Sequence, residues 1–223
     1  MDNLLPRLSL LLAILLTSSC GGTSVEDYAE QEPEFFPETF FDGPLEAYGV
    51  IKSRGGEVTR RFTATLEGSW KDGGGLLAER FVFNDGEIQY RNWRLVPKQH
   101  AGTARHYSAS AEDVVGEATL AVSGNTAFIR YTLEVPFGER TINVQVDDRM
   151  YLINKQVLVG ESELTKWGFH VGKILLTIIK TSPGYSLQKT QQTQEKAPPV
   201  IPRIQSAKIR QPASLRPHSY PTP

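Results

Sequence analysis

Few residues of this sequence offer chemistry by type and spacing. Asp147 and Asp148 form the most prominent acidic pair, and paired carboxylates can serve as general acid and base or bind a metal. Adjacent strand residues face opposite sides, so we expect an ion pair or turn-capping role beside Arg149 or an arginine of a neighbouring strand. His100 and His106 are six positions apart, a spacing that matches no zinc motif. We therefore predict no catalytic residue, no metal site and no cofactor.

Four residues are candidates for binding a small ligand: Trp93, Arg130, Tyr131 and Tyr151. The aromatic side chains fit either a ligand cage or, more commonly, the core of the fold. Arg130 lies in an apolar strand, opposite the face that carries Tyr131. If that face lines the interior, Arg130 points to solvent, which is the arrangement we favour. If the exterior packs on a partner or membrane instead, Arg130 points inward and could hold a carboxylate or phosphate.

The elements that must position these residues are β-strands. Apolar and polar residues alternate over 61–66, 129–135 and 142–147, a pattern typical of strands with one apolar face. Turn signals recur between such segments, and Asp85-Gly86 is a strong hairpin signal because both residues tolerate positive φ. The pattern predicts an all-β protein of roughly nine or ten antiparallel strands. An up-and-down barrel or strongly curved sheet is favoured, and a sandwich is the alternative.

The N-terminus has the pattern of an export signal. Residues 8–16 are apolar apart from Ser9, a length that suits a signal peptide and is too short to span a membrane. The small residues before Cys20, the sole cysteine, resemble the bacterial lipobox, in which cleavage between Ser19 and Cys20 exposes a cysteine that is acylated. An ordinary secretory peptide cut near Ser18 or Ser19 is the alternative. The lipobox implies an outer-membrane anchor, because Gly21 rather than Asp follows the cysteine.

Charge and composition divide the chain into four parts. We assign 1–19 as the signal peptide, 20–34 as a flexible linker after the acylated Cys20, 35–182 as the β-barrel domain, and 183–223 as a disordered tail. The tail holds eight of the 14 prolines and carries a net charge of +5. The whole chain has a net charge of −1 and residues 1–19 have a net charge of zero, so residues 20–182 have a net charge of −6. An acidic domain argues against binding nucleic acid.

Three stretches resemble a known family: "FFDGPLEAYGVIKSRGGEVTRRF" at 40–62, "EDVVGEA" at 112–118 and "VDDRMYLINKQVLVGESELTKWGFHVGKI" at 146–174. They are similar to a bacterial lipoprotein family of unknown function, DUF3833. The resemblance implies a Gram-negative source, an N-terminal lipobox and a lipocalin-like barrel. It brings no activity and no catalytic residue.

Together, these features predict a lipid-anchored lipoprotein of the outer membrane, with its domain facing the periplasm. We expect a non-catalytic module that binds a small apolar or amphiphilic ligand. The alternatives are a structural or assembly lipoprotein acting through surface contacts with an envelope protein, and, less favoured, an enzyme. The expected partners are the membrane, through the acyl chains on Cys20, and the small ligand. The sequence identifies no protein partner.

Overall fold

Ten antiparallel strands close into an up-and-down barrel in the computed structural model, which describes residues 22–98 and 102–181. Each strand pairs with its neighbours along the chain, and β1 pairs with β10 to close the barrel. The strands are β1 (Gly43–Ser53), β2 (Val58–Lys71), β3 (Gly74–Phe83), β4 (Ile88–Pro97), β5 (Arg105–Ser110), β6 (Ala118–Ser123), β7 (Thr126–Phe137), β8 (Arg140–Asn154), β9 (Val157–Lys166) and β10 (Phe169–Lys180). The predicted barrel is confirmed, and the sandwich alternative is wrong.

Residue alternation gives the barrel its inside and outside. Along β2, Phe62, Ala64 and Leu66 are buried while the residues between them are exposed, as period-2 alternation requires. The turn after β3 contains Asp85 and Gly86, and Gly86 has φ of 88°, a conformation that glycine adopts without steric cost. The hairpin predicted there is confirmed.

One end of the barrel is closed by the chain itself. Residues 35–41, which we call the plug, cover this end and include the short helix Pro37–Phe40. The rings of Phe35, Phe40 and Phe41 meet edge-to-face at 5.3 to 5.8 Å between centroids. Phe35 is completely buried. The Lys180 Nζ donates hydrogen bonds to the carbonyl oxygens of Thr39, Phe40 and Asp42. These bonds satisfy carbonyls that a helix end leaves without partners, so Lys180 fixes the plug to β10.

Residues 22–34 form the described part of the segment that we predicted as a flexible linker over 20–34, and this part is structured. Residues Val25–Tyr28 form a 3₁₀ helix. The Tyr28 ring packs on the outer side of the barrel against Phe128 and Tyr151, at 5.9 and 5.8 Å between ring centroids. The composition of this segment is polar and acidic, but the Tyr28 ring makes these two aromatic contacts and Val25 is buried.

Several predicted parts fall outside the described residues. The signal peptide, Cys20 and the tail from 183 to 223 are among them, as is His100. Within the described residues, no helix is both long and apolar enough to cross a membrane.

Candidate functional site

The end of the barrel opposite the plug leads into a cavity of about 600 Å³. It is bounded by the hairpins that join β1 to β2, β3 to β4, β7 to β8 and β9 to β10. Most of its wall is apolar, with Phe62, Phe81, Trp93, Leu133, Met150 and Leu176 among the lining side chains. Phe41 of the plug forms the floor. The barrel interior is therefore an elongated apolar chamber with one closed end.

Charged side chains project into this chamber from several strands. The guanidinium of Arg91, on β4, forms a bidentate pair with Asp113 from the loop between β5 and β6. The Arg91 Nε lies 3.0 Å from both Asp113 carboxylate oxygens, and the Nη2 lies 2.7 Å from Oδ2. A pair with this geometry is stronger and more specific than a single contact. It fixes the orientation of Arg91 and ties the loop to the barrel wall.

Glu79 lies beside this pair without a hydrogen bond of its own. Its position on β3 is in register with Arg91 on β4, and residues in such register have adjacent side chains. Because Arg91 is engaged by Asp113, no donor among the described residues reaches the Glu79 carboxyl. Burial raises the pKa of Glu79 to about 7, against the attraction of Arg91.

Asp148 and Tyr131 add polar groups from the other side of the barrel, on β8 and β7. The Ser162 hydroxyl of β9 donates a 2.9 Å hydrogen bond to the Asp148 carboxylate of β8. Burial still raises the pKa of Asp148 to about 6. The Tyr131 ring meets Trp93 edge-on at 5.2 Å, and burial raises the pKa of the Tyr131 phenol. The site thus combines carboxylates, a phenol and aromatic faces.

Two of the four residues predicted to bind ligand line this chamber, and two do not. Trp93 and Tyr131 face the cavity. Arg130 faces outward with a side chain that is 72% exposed, and its Nε donates to Asp147 at 2.8 Å. Tyr151 also faces outward, where it packs on Tyr28. Strand alternation is the reason, since each outward residue neighbours an inward one. Arg130 and Tyr151 therefore do not line this cavity, and the expectation that Arg130 points to solvent is confirmed.

The adjacent aspartates separate as strand alternation requires. Asp147 lies outside between Arg130 and Arg149, at 2.8 and 3.2 Å, and the predicted ion pair is confirmed. Hydrogen bonds from both arginines keep the pKa of Asp147 below its usual value, despite partial burial. Asp148 lies inside, where it faces Glu79. The two aspartates are adjacent in the chain and differ entirely in environment.

Sequence reasoning missed Glu79, Arg91 and Asp113. A signal for the first two exists, because each occupies an inward position in an apolar alternation: Glu79 between Leu77 and Phe81, and Arg91 before Trp93. A charge on the apolar face of a strand needs a buried partner, so such positions are worth testing first. Asp113 had no such signal, since it reaches the site from a loop. No group of three His, Cys, Asp or Glu in 22–98 and 102–181 is arranged to hold a metal.

A closed antiparallel barrel with a plugged end and an internal chamber defines a lipocalin-like barrel protein. A family model described as a protein of unknown function (DUF3833) matches residues 14–180, and the chain belongs to this family. No curated protein matches it. The family carries no assigned activity, so function has to be argued from the chamber.

Solved structures with a similar arrangement of strands are distant in sequence. The S-type phycobiliprotein lyase CPES from Guillardia theta is 10% identical, with a TM-score of 0.48 over 72% of this chain and 94% of that one. A protein of unknown function from the DUF3598 family of Nostoc punctiforme is 14% identical, with a TM-score of 0.46 over 72% and 53%. A redesigned beta barrel, mFAP0, bound to DFHBI is 9% identical, with a TM-score of 0.34 over 63% and 99%.

Proposed function

We propose that this protein binds one small amphiphilic molecule inside its barrel, without a catalytic step. The observation that carries the proposal is the chamber of about 600 Å³, whose walls are apolar except for one polar cluster. Ligand pockets are typically 300–1,000 Å³, mainly apolar, with a few polar groups that orient the ligand. An apolar body would lie against Phe62, Phe81 and Leu176, with its polar group at Glu79 and Asp148.

A fluorescent probe tests this proposal directly. N-phenyl-1-naphthylamine, a neutral apolar dye, should bind the full chain with a saturable rise in fluorescence at one site per molecule. Leu133 lines the chamber, so Leu133→Trp should fill part of it and reduce dye affinity by about tenfold, as loss of roughly 1.4 kcal/mol would. Thr132, the outward neighbour, provides the matched control, and Thr132→Trp should bind dye normally. Equal dye binding by folded Leu133→Trp and wild type would contradict the proposal.

We propose further that acyl chains on Cys20 anchor the protein in the outer membrane, with the barrel in the periplasm. The support is the lipobox-like sequence around Ser19 and Cys20. Several acyl chains would hold the protein nearly permanently, because each buried CH₂ contributes about 0.8 kcal/mol. Cells labelled with an alkyne fatty acid should incorporate label into the wild type and none into Cys20→Ala. Label retained by Cys20→Ala would overturn the anchor.

A second candidate function, a structural or assembly role through surface contacts, is favoured by aromatic residues at the chamber mouth. Phe137, Trp167 and Phe169 are 68%, 85% and 66% exposed. They lie in two neighbouring hairpins, and exposed aromatics are enriched where proteins meet partners. A photo-crosslinking amino acid at position 167 should trap one envelope protein reproducibly under this alternative. Recovery of uncrosslinked protein alone would exclude it.

A further inference from the structure

The chamber has more carboxylates than cations to pair with them. Four acids and two arginines line it. Arg60, at the mouth, pairs with Asp85 and Glu87 at 2.9 and 2.8 Å, so it is already engaged at the rim. Deeper inside, the Arg91 guanidinium is occupied by Asp113. Glu79 and Asp148 feel the attraction of Arg91 but form no ion pair of their own among the described residues, and Glu134 is exposed near the mouth.

We propose that the amphiphile bound in the chamber carries a cationic nitrogen, which the carboxylates of Glu79 and Asp148 receive. The inference rests on the binding function proposed above and adds the chemical class of the ligand. A long-chain amine is the simplest molecule of this class. Its ammonium would supply the missing positive charge, and its chain would occupy the apolar length of the chamber.

The polar side chains that face one another across the chamber suit an ammonium group. Glu79 accepts no hydrogen bond from residues 22–98 or 102–181, and Asp148 accepts one from the neutral Ser162 hydroxyl. The two carboxylates are close enough for the negative charge of Asp148 to raise the pKa of Glu79. An ammonium has three donors, which can be shared between Glu79, Asp148 and the Tyr131 hydroxyl. The Trp93 and Tyr131 rings next to this position offer π faces that attract cations.

A proton and an ammonium compete for the same carboxylates, so the affinity for an amine should depend on pH. The groups around the site are Glu79 on β3, Arg91 on β4, Asp113 in the loop before β6, Tyr131 on β7 and Asp148 on β8, with Ser162 on β9. Arg60 and Glu134 lie towards the mouth, and β1, β6 and β10 contribute only apolar side chains. The raised pKa values of Glu79 and Asp148, about 7 and about 6, mean that protons compete with an ammonium below neutral pH. Affinity for an amine should therefore rise between pH 5.5 and 8.

The test uses displacement of N-phenyl-1-naphthylamine from the full chain by three probes of equal chain length, below their micelle-forming concentrations. Dodecylamine, dodecanol and dodecanoate differ only in head group. At pH 7.5, dodecylamine should compete at a concentration at least about tenfold lower than dodecanoate. Its potency should increase about tenfold from pH 5.5 to 8, while that of dodecanol should stay constant. Dodecanoate competing as well as dodecylamine, or dodecylamine weakening as pH rises, would overturn the inference.

Variants identify the residues involved. Glu79→Gln and Asp148→Asn should each weaken dodecylamine by about tenfold and leave dodecanol unchanged. Asp147→Asn is the matched control, because Asp147 is the adjacent carboxylate and lies outside the chamber. Unchanged dodecylamine binding in both inward variants would also overturn the inference. Absence of dye binding by wild type would instead reject the proposed function, so the two failures are distinguishable. If one inward variant does not fold, the other variant and the pH profile still decide.

Discussion

At the scale of the residue, orientation relative to the barrel wall determines chemistry. Asp147 and Asp148 are identical side chains one position apart, yet arginines hold the pKa of the first down and burial raises the pKa of the second. Glu79 is the more extreme case, because its neighbour Arg91 is committed to Asp113. The sequence predicted the outward ion pair, since that needs only strand alternation. The inward cluster could not be predicted, because Asp113 joins it from a loop whose path the alternation does not determine.

Glu79 should make the stability of the unliganded protein depend on pH. The folded protein binds the Glu79 proton more tightly than the unfolded chain, because its pKa rises from 4.5 to about 7 on folding. The free energy of unfolding should therefore fall as pH rises from about 4.5 to about 7, and the loss should be complete above that range. Glu79→Gln should remove most of this dependence, leaving the part that Asp148 contributes below about pH 6, and should be more stable at pH 8 by on the order of 1–3 kcal/mol. Urea unfolding at pH 5 and pH 8 measures both effects.

Asp147→Asn serves as the control for this prediction. The pKa of Asp147 is lowered on folding, so its contribution to stability is present above the unfolded pKa and lost as pH falls into the acid range. The variant should therefore retain the wild-type decline between pH 5 and pH 8. A wild-type decline that persists unchanged in Glu79→Gln would show that Glu79 is not its source.

At the scale of the element, strands follow directly from the sequence and the plug does not. The alternation over 129–135 and 142–147 predicts β7 and β8, and both lie where expected. The segment from 24 to 41 has no repeating pattern. Its structure depends on tertiary contacts such as those of Phe35, Tyr28 and Lys180, which are set only once the barrel exists. For this reason the ordered N-terminal segment was mistaken for a linker.

The plug should contribute strongly to stability. Phe35 is completely buried among Phe40 and Phe41, so Phe35→Ala should lower the free energy of unfolding by about 3–5 kcal/mol. The neighbouring Phe36 is 38% exposed, and Phe36→Ala should cost less than about 1.5 kcal/mol. Chemical denaturation of both variants gives the comparison. Similar losses in the two would show that the plug is not a packed part of the core.

At the scale of the whole molecule, the two ends of the barrel differ, because the plug closes one end and the other is open. The N-terminal segment meets the barrel at the turn between β6 and β7, where the Phe35 N–H donates to the Gly124 carbonyl at 2.8 Å. That turn belongs to the plugged end, and Trp167 lies in a turn at the open end. Cys20 precedes Ser24 by four positions, which the chain can span by at most about 14 Å. An acyl anchor at Cys20 would therefore hold the plugged end near the membrane and direct the mouth away from it.

Quenching of Trp167 fluorescence tests this orientation. The acylated chain, which begins at Cys20, is placed in liposomes, and the Trp167 emission is obtained as the difference between the wild type and Trp167→Phe. Aqueous iodide should quench this emission. Lipids brominated on their acyl chains should leave it unchanged, because Trp167 is 85% exposed at the mouth. Trp70 and Trp93 remain in both proteins, so the difference isolates the residue at the rim. Quenching of this component by brominated lipid would place the mouth on the bilayer and refute the orientation.

The central claim, that the chamber receives an amphiphile, is tested most directly at Met150. The chain has two methionines, and Met150 lines the chamber, so its ¹³C-labelled methyl group gives an NMR signal from within the barrel. Met150→Leu assigns that signal. Titration of the full chain with dodecylamine should shift it and reach saturation at one molecule per barrel, and Leu133→Trp should weaken the effect. A Met150 signal that stays in place throughout the titration would contradict the account.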